Sequence, residues 1–383
     1  MRYFAHLQTA LQLLRSYNGA MPFAAFAKQF FARHKKYGSK DRKSIAHLCY
    51  CYFRLGHYVQ SGPTEEMVVL GLWLCSPAPN PVLQQLNAAL NDTATLSIEE
   101  KLKQPVAAGV KEQLFPFQQH FSNGINTDRL VASYFVQPDV FLRIRSDRNT
   151  ITSLLESQQI PYQFIRESSI AIPNNVKVDE LLPLNEKVVI QDASSQEVGD
   201  VIKTHLPFTP KNVWDCCAAS GGKSIMLYDL YPSFKLTVSD IRSSIMFNLQ
   251  KRFHQAKIKQ YASFVADLTQ PVAAYQEYDF IIADVPCSGS GTWGRTPEQL
   301  VFFKEEEIHQ YAQLQAQIVK NILPALKKGG CLAYCTCSVF LPENERQLQR
   351  MQDKFGLKLI HQQLITGYEN KADSLFIALL QKV

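Results

Sequence analysis

Apolar residues in the first hundred positions recur at intervals of three and four. Phe4, Leu7, Leu11 and Leu14 fall on one side of a helix, as do Ile45, Leu48, Tyr52, Leu55 and Val59. Gly19, Gly38, Gly62 and the stretch 76–81 punctuate the pattern, while Pro22 and Pro63 suit first helical turns. This predicts an all-α domain of five or six helices over residues 1–105. From about 126 to 190 the spacing changes. VFLRIRS, PYQFIR and SIAIP read as short strands and NTITSLLESQQI as a helix, a small α+β module with Arg143, Arg145, Arg148 and Arg166 exposed among its strands. From 191 to 383 strand and helix alternate. The predicted strands are NVWDCCA, KLTVSD, ASFVAD, YDFIIADVP, GGCLAYCTCS and SLFIALLQK; the predicted helices include SIMLYDLYP, RSSIMFNLQKRFHQA and EEEIHQYAQLQAQIVKNILPAL. Alternation of this kind implies an α/β domain with a mainly parallel sheet, helices on both faces, and ligands at the carboxyl ends of the strands.

Composition narrows the class. With 46% hydrophobic and 19% charged residues, the 383-residue chain is globular and long enough for two or three domains. No apolar run reaches the length of a bilayer span, and MRYFAHLQTALQLLRSYNG lacks the apolar core of a signal peptide, so no membrane is expected. The nine cysteines crowd into pairs such as Cys49/Cys51, Cys216/Cys217 and Cys335/Cys337. That spacing suits reduced thiols in a cytoplasmic protein better than a disulfide framework. Net charge is +6, and its excess lies at one end. Residues 1–60 carry ten Lys and Arg against Asp41 alone; residues 61–190 carry ten against fourteen acids, and 191–383 twenty against nineteen. A polyanion such as RNA would be drawn to the first sixty residues; a solvated helix face explains the charge equally well. Nothing suggests an oligomer, and a monomer is the default expectation.

The strand NVWDCCA runs through Cys217, Ala218, Ala219, Ser220, Gly221, Gly222 and Lys223 into a helix. A glycine pair there lets a ligand approach the backbone beside helix-terminal N–H groups. A phosphate-binding P-loop needs a glycine where Cys217 stands, which excludes the ATPase reading. Asp240, Asp267 and Asp284 close three successive strands. Asp240 suits the hydroxyls of a ribose, and Asp267 the amino group of an adenine. With no basic cluster for phosphates, the cofactor expected is S-adenosyl-L-methionine.

Two cysteines stand near these acids. Cys287 follows Asp284 in a loop rich in Gly and Ser, and Cys337 ends the strand in which Cys331, Cys335 and Cys337 share one face. Zinc is the rival explanation, but CTC and DCC lack C-x-x-C spacing and no histidine is close, so no metal is expected.

DCCAASGGKS, VSDIR, ADLT, DVPCSGSGTWGRTPE, YCTCSVFLPENE and VVIQDASSQ together resemble the Fmu/Sun (Nol1/Nop2/Sun) family of S-adenosylmethionine-dependent RNA cytosine-5 methyltransferases. The segment DRKSIAHLCYCYFRLGHYV is similar, more weakly, to the NusB-like RNA-binding domain of some bacterial members. The resemblance implies a Rossmann-like methyltransferase domain over 191–383. It implies Cys337 as the thiol that adds to carbon 6 of cytosine, so that carbon 5 can attack the methyl group. Cys287 would assist loss of the carbon 5 proton or release of product. Asp284 would meet the base edge, and Lys223 would stabilise developing negative charge. Sequence alone gives no reason to prefer either cysteine as nucleophile. Gln191 and Asp192 border the site, contacting substrate or bracing the turn. Ser220 replaces the family's usual proline and is expected to loosen that turn. The expected substrate is ribosomal RNA; a tRNA-specific enzyme and a non-catalytic assembly factor are the alternatives.

Overall fold

The computed structural model describes residues 2–231, 233–272 and 277–383; Met1 and Pro232, each at the end of an expected helix, lie outside them. Two compact units emerge, each assembled from separated stretches of chain. The first comprises residues 1–119, 126–137 and 292–305; the second comprises 120–125, 138–291 and 306–383.

The first unit is helical. Its longer helices are Arg2–Ser16, Phe23–Arg33, Ser39–Phe53 and Glu65–Cys75, and shorter ones continue to Thr127–Tyr134. Among the described residues, 1–105 hold seven α-helices instead of five or six, because Asn80, Asn87 and Ser97 each cap a short helix and break the run. Residues 126–137, which the sequence pattern assigned to the start of the α+β module, belong to this unit. Arg54, nearly buried, donates to the Tyr134 carbonyl, to Gln137 Oε1 at 2.9 Å and to the Gly294 carbonyl at 3.0 Å. Residues 292–305 complete the same core: Trp293 and Leu300 are fully buried, and Glu298 accepts from the Phe23 N–H at 3.2 Å. Trp293 packs on Phe115 with ring centroids 5.5 Å apart.

The second unit holds two sheets. The smaller contains β1 (Val140–Ile144), β2 (Gln163–Arg166), β3 (Ser169–Ile172) and β4 (Val188–Ile190), in the antiparallel order β2-β3-β1-β4. Of its four arginines Arg148 is exposed as expected, over the Phe164 ring, and the other three are not. Arg143 is buried against Asp229 at 2.5 Å, Arg145 meets the same carboxylate at 2.8 Å, and Arg166 pairs with Glu197. Acids on the neighbouring helices take up these three guanidinium forks, so their charge serves packing within the unit.

The larger sheet contains β5 (Asn212–Asp215), β6 (Lys235–Asp240), β7 (Ala262–Val265), β8 (Tyr278–Asp284), β9 (Leu326–Thr336), β10 (Leu357–Ile365) and β11 (Leu375–Lys382). Its order is β10-β11-β9-β8-β5-β6-β7, parallel from β9 through β7 and antiparallel at β10 and β11. Alternation along β9 works as the sequence predicts. Cys331, Ala333 and Cys335 enter one core layer, with Cys337 packed against it, and Leu332 and Tyr334 enter the other.

Candidate active site

Parallel pairing brings the carboxyl ends of β5, β6, β8 and β9 into one row, with Asp284 in register with Cys335 and Asp240 with Val265. After β5 the chain turns back on itself. Ala219 at φ +46° and Gly221 at φ +81° both take left-handed backbone. A Cβ on Gly221 would lie 2.5 Å from the Phe253 ring, so glycine is required there for packing as well as for conformation. The Ala218 N–H bonds the Ser239 carbonyl at 2.9 Å, and the Ala219 N–H bonds Asp240 Oδ2 at 3.0 Å. Cys217 and Gly222 flank this turn.

Asp240 is buried at the end of β6. Burial alone would raise its carboxyl, but donors from Arg242 and from Ala219 outweigh that and hold it below its usual range. Ser220 is not loose as expected. Arg252 Nη1 donates to its hydroxyl at 2.6 Å and to its carbonyl at 3.0 Å, bracing the turn that a proline would stiffen. Asp267 stands apart from these groups: two residues past β7 and exposed, its carboxylate accepts from the Thr269 N–H at 2.9 Å and hydroxyl at 2.7 Å.

Lys223, on the first turn of the helix Gly222–Leu230, reaches Asp284 Oδ2 at 2.6 Å. Burial would lower its ammonium, but the charges of Asp284, Cys335 and Cys337 more than offset this and raise it. Below them lies Asp215, which sequence reasoning passed over. It is fully buried, Ser224 donates to it at 2.6 Å, and burial pushes its carboxyl up to about 7. Its place in the strand-end row DCC was the available signal.

The two cysteines converge. Cys287 Sγ lies 3.2 Å from Cys337 Sγ, and the Cys337 N–H points at Cys287 Sγ from 3.3 Å. Gly291 makes this possible, since its N–H bonds the Cys337 carbonyl at 2.9 Å and a Cβ there would lie 2.0 Å from the Ser374 carbonyl oxygen. The hydrogen bond with Cys337, then burial, then the charges of Cys337 and Glu343 push the Cys287 thiol well above its usual range. Cys331 and Cys335 are fully buried and their thiols raised by burial, Cys331 to about 12, which fits inert core residues. Gln191 and Asp192 brace. Gln191 accepts from Arg143 Nε at 2.8 Å, and Asp192 caps the helix Ala193–His205 and accepts from the Asp373 N–H at 3.1 Å. Among the described residues no group of three or more His, Cys, Asp or Glu could hold a metal, and no helix is long and apolar enough to cross a membrane.

A seven-stranded sheet of this order, with a glycine turn after β5 and acids at the ends of the flanking β6 and β8, defines a Rossmann-like methyltransferase domain. Solved structures share the fold: that titled "Crystal Structure of PH0851" superposes with TM-score 0.70 at 18% identity over 98% of both chains. NSun6 from Pyrococcus horikoshii with SFG superposes with TM-score 0.56 at 14% identity, covering 67% of this chain and 94% of that one. The profile of the family described as 16S rRNA methyltransferase RsmB/F matches residues 205–380, the region that carries the motifs. Ribosomal RNA small subunit methyltransferase B of Proteus mirabilis (strain HI4320) is 30% identical over 261 residues, 64% of this chain and 60% of that protein. The protein of the same name from Photorhabdus laumondii is 34% identical over 167 residues, 42% and 37% of the two chains. The chain thus spans about 60% of the length of the first relative, and less of the second.

Proposed function

We propose that this chain transfers a methyl group from S-adenosyl-L-methionine to carbon 5 of a cytosine in ribosomal RNA, through a covalent adduct at Cys337. The observation that carries the reading is the pair of sulfurs 3.2 Å apart at the ends of β8 and β9, beside the Lys223–Asp284 ion pair. The family profile and the names of the relatives support RNA of the small ribosomal subunit as substrate.

The turn at 217–222 fits the cofactor. Gly222 leaves the backbone open to a close ligand, Asp240 is held below its usual range at the end of β6, and the 59% exposed Ile241 beside it offers an apolar face to adenine. Asp267 holds Thr269 through Oδ1 alone, which leaves Oδ2 able to accept from the adenine amino group. Bound there, S-adenosylmethionine supplies an electrophilic methyl group on a sulfonium centre.

The chain's own residues do the rest. The Cys337 thiolate adds to carbon 6, which makes carbon 5 nucleophilic. Asp284, steadied by Lys223, accepts from the amino edge of the base. Once carbon 5 carries the methyl group its proton passes to solvent water, the C–H electron pair forms the double bond to carbon 6, and the Cys337 sulfur leaves as a thiolate that accepts a hydrogen bond from the Cys287 thiol. A target base in a stem would have to be flipped out to reach these groups. Exposed Arg33, Lys35, Lys36, Lys40 and Lys43 around one helix connection give the helical, NusB-like unit a face for RNA phosphates.

The test is transfer of radiolabelled methyl to total RNA from a strain lacking the gene, followed by digestion to nucleosides. Label in 5-methylcytidine from the ribosomal fraction is the expected result. Label in transfer RNA alone would change the substrate, and no label would leave only a binding role.

A further inference from the structure

We infer that Glu343 is a positioning residue of the two-thiol site, its buried carboxylate tying the loop that carries Cys287 to the loop that carries Cys337. The inference rests on the methyl-transfer reading above. Glu343 is wholly shielded from solvent. Its Oε2 accepts from the Ser288 N–H and from Gln315 Nε2, each at 2.9 Å, and its Oε1 accepts from the Ser338 hydroxyl at 2.7 Å. Ser288 follows Cys287 and Ser338 follows Cys337, so one side chain grips the residue next to each sulfur.

The surroundings tighten the grip. The hydroxyls of Ser288, Ser290 and Ser338 lie 3.0–3.2 Å from one another, all buried. Ser290 accepts from the Val339 N–H at 2.9 Å, adding a second link between the loops. Gln315 also donates to the Pro286 carbonyl at 3.0 Å and accepts from the Tyr334 hydroxyl at 3.1 Å.

Bracing alone does not need a charge. A neutral amide could accept from Ser288 and Gln315 and donate to Ser338, at a smaller desolvation cost than a carboxylate. The charge acts on the sulfurs. Burial raises the Glu343 carboxyl and outweighs the hydrogen bonds with Ser288, Ser338 and Gln315, which favour the ionised form. The groups that bear on Cys287 are Cys337, Glu343, Tyr311 and Tyr334. Among them the carboxylate disfavours a thiolate on Cys287, while Cys337 shares the field of the Lys223 cation. Glu343 thereby favours the protonated form of Cys287, whose sulfur lies 3.2 Å from that of Cys337.

The experiment is alkylation of the full chain with iodoacetamide across pH, resolved by peptide for Cys287 and Cys337, alongside methyl transfer and cofactor titration. Glu343→Gln keeps the bracing and removes the charge. Cys287 should then alkylate about tenfold faster near neutral pH, the equivalent of one pKa unit, and its profile should shift to lower pH. An unchanged Cys287 profile in this variant overturns the inference. Glu343→Ala removes the bracing as well and should lower kcat about 10²-fold, the cost of a reacting group misplaced by an ångström, with cofactor affinity unchanged. Equal loss of cofactor affinity would make the residue merely structural; if this variant does not fold, Glu343→Gln decides alone. A wild-type chain that methylates no RNA would reject the methyl-transfer reading, whereas the alkylation profiles would still accept or reject the role of Glu343.

Discussion

Cys287 and Cys337 stand fifty residues apart in sequence, yet their sulfurs lie 3.2 Å apart and the backbone N–H of one addresses the sulfur of the other. In the proposed reaction Cys337 is the nucleophile and Cys287 its hydrogen-bond donor. Cys337→Ala is expected to abolish methyl transfer while leaving cofactor affinity intact, and substantial residual turnover would reassign the nucleophile. Cys287→Ala should instead accumulate a protein–RNA adduct, seen as a slow band on a denaturing gel. Absence of the band would count against a role in release.

Lys223 and Asp284 form a largely buried ion pair at 2.6 Å. Lys223→Met strips Asp284 of its counter-ion beside the base. Single-turnover methyl transfer should slow by about 10²-fold or more, the usual scale for removing one preorganised electrostatic partner. A loss confined to cofactor affinity would move Lys223 out of the chemistry and into cofactor binding.

Asp240 ends β6 and is buried against the glycine turn, whereas Asp267 lies two residues past β7 and is exposed. Asp240→Ala removes the anchor of Ala219 together with the acceptor for ribose. Calorimetric titration should show cofactor binding at least about tenfold weaker, in line with about 1.5–3 kcal/mol for a hydrogen bond to a charged group. Asp267→Ala should change binding less, since Asp267 is exposed and lies two residues past β7. Equal losses would return Asp267 to the adenine site.

Asp215 gives the fold a pH dependence. Burial lifts its carboxyl from 3.8 to about 7, so between those values the folded chain holds a proton that the unfolded chain has released. Its contribution to stability is greatest below the unfolded value and falls as pH rises towards 7. Asp215→Asn should flatten this decline, and thermal melts of the two proteins should diverge increasingly from pH 5 to pH 8. Parallel curves would show that Asp215 is ionised throughout.

Removing residues 1–105 would not isolate an RNA-binding role, because Trp293, Glu298 and Leu300 share a core with that segment. Such a truncation should expose them and aggregate. Replacing Lys35, Lys36, Lys40 and Lys43 with Gln avoids this, since all four are exposed. RNA binding should weaken, and the slope of log affinity against log salt should fall by about 0.7–0.9 for each phosphate that is no longer neutralised. Cofactor binding should not change. An unaltered slope would remove these lysines from the RNA interface.

Much of this molecule was legible in its sequence. The strands NVWDCCA, KLTVSD, YDFIIADVP and SLFIALLQK carry buried apolar residues in short runs, and the strand-end acids and cysteines follow them directly. β10 was missed. Its LKLIHQQLI pairs on one side only, at the sheet's edge, where Lys358, His361, Gln362 and Gln363 remain partly or wholly exposed and obscure the alternation. β4 is three residues long and has meaning only through its pairing with β1.

Local pattern thus determined which segments become strands, where the glycine turn falls, and that Cys331, Cys335 and Cys337 share a face, because each depends on neighbours a few residues away. Tertiary structure alone decided that residues 292–305 fill the helical core, that Arg252 braces Ser220, and that Glu343 grips both cysteine loops. Apart from the bond between Glu343 and Ser338, five residues apart, these pairings span 32 to 275 residues between polar or aromatic groups that many other positions could have satisfied, and only the packed chain selects among them.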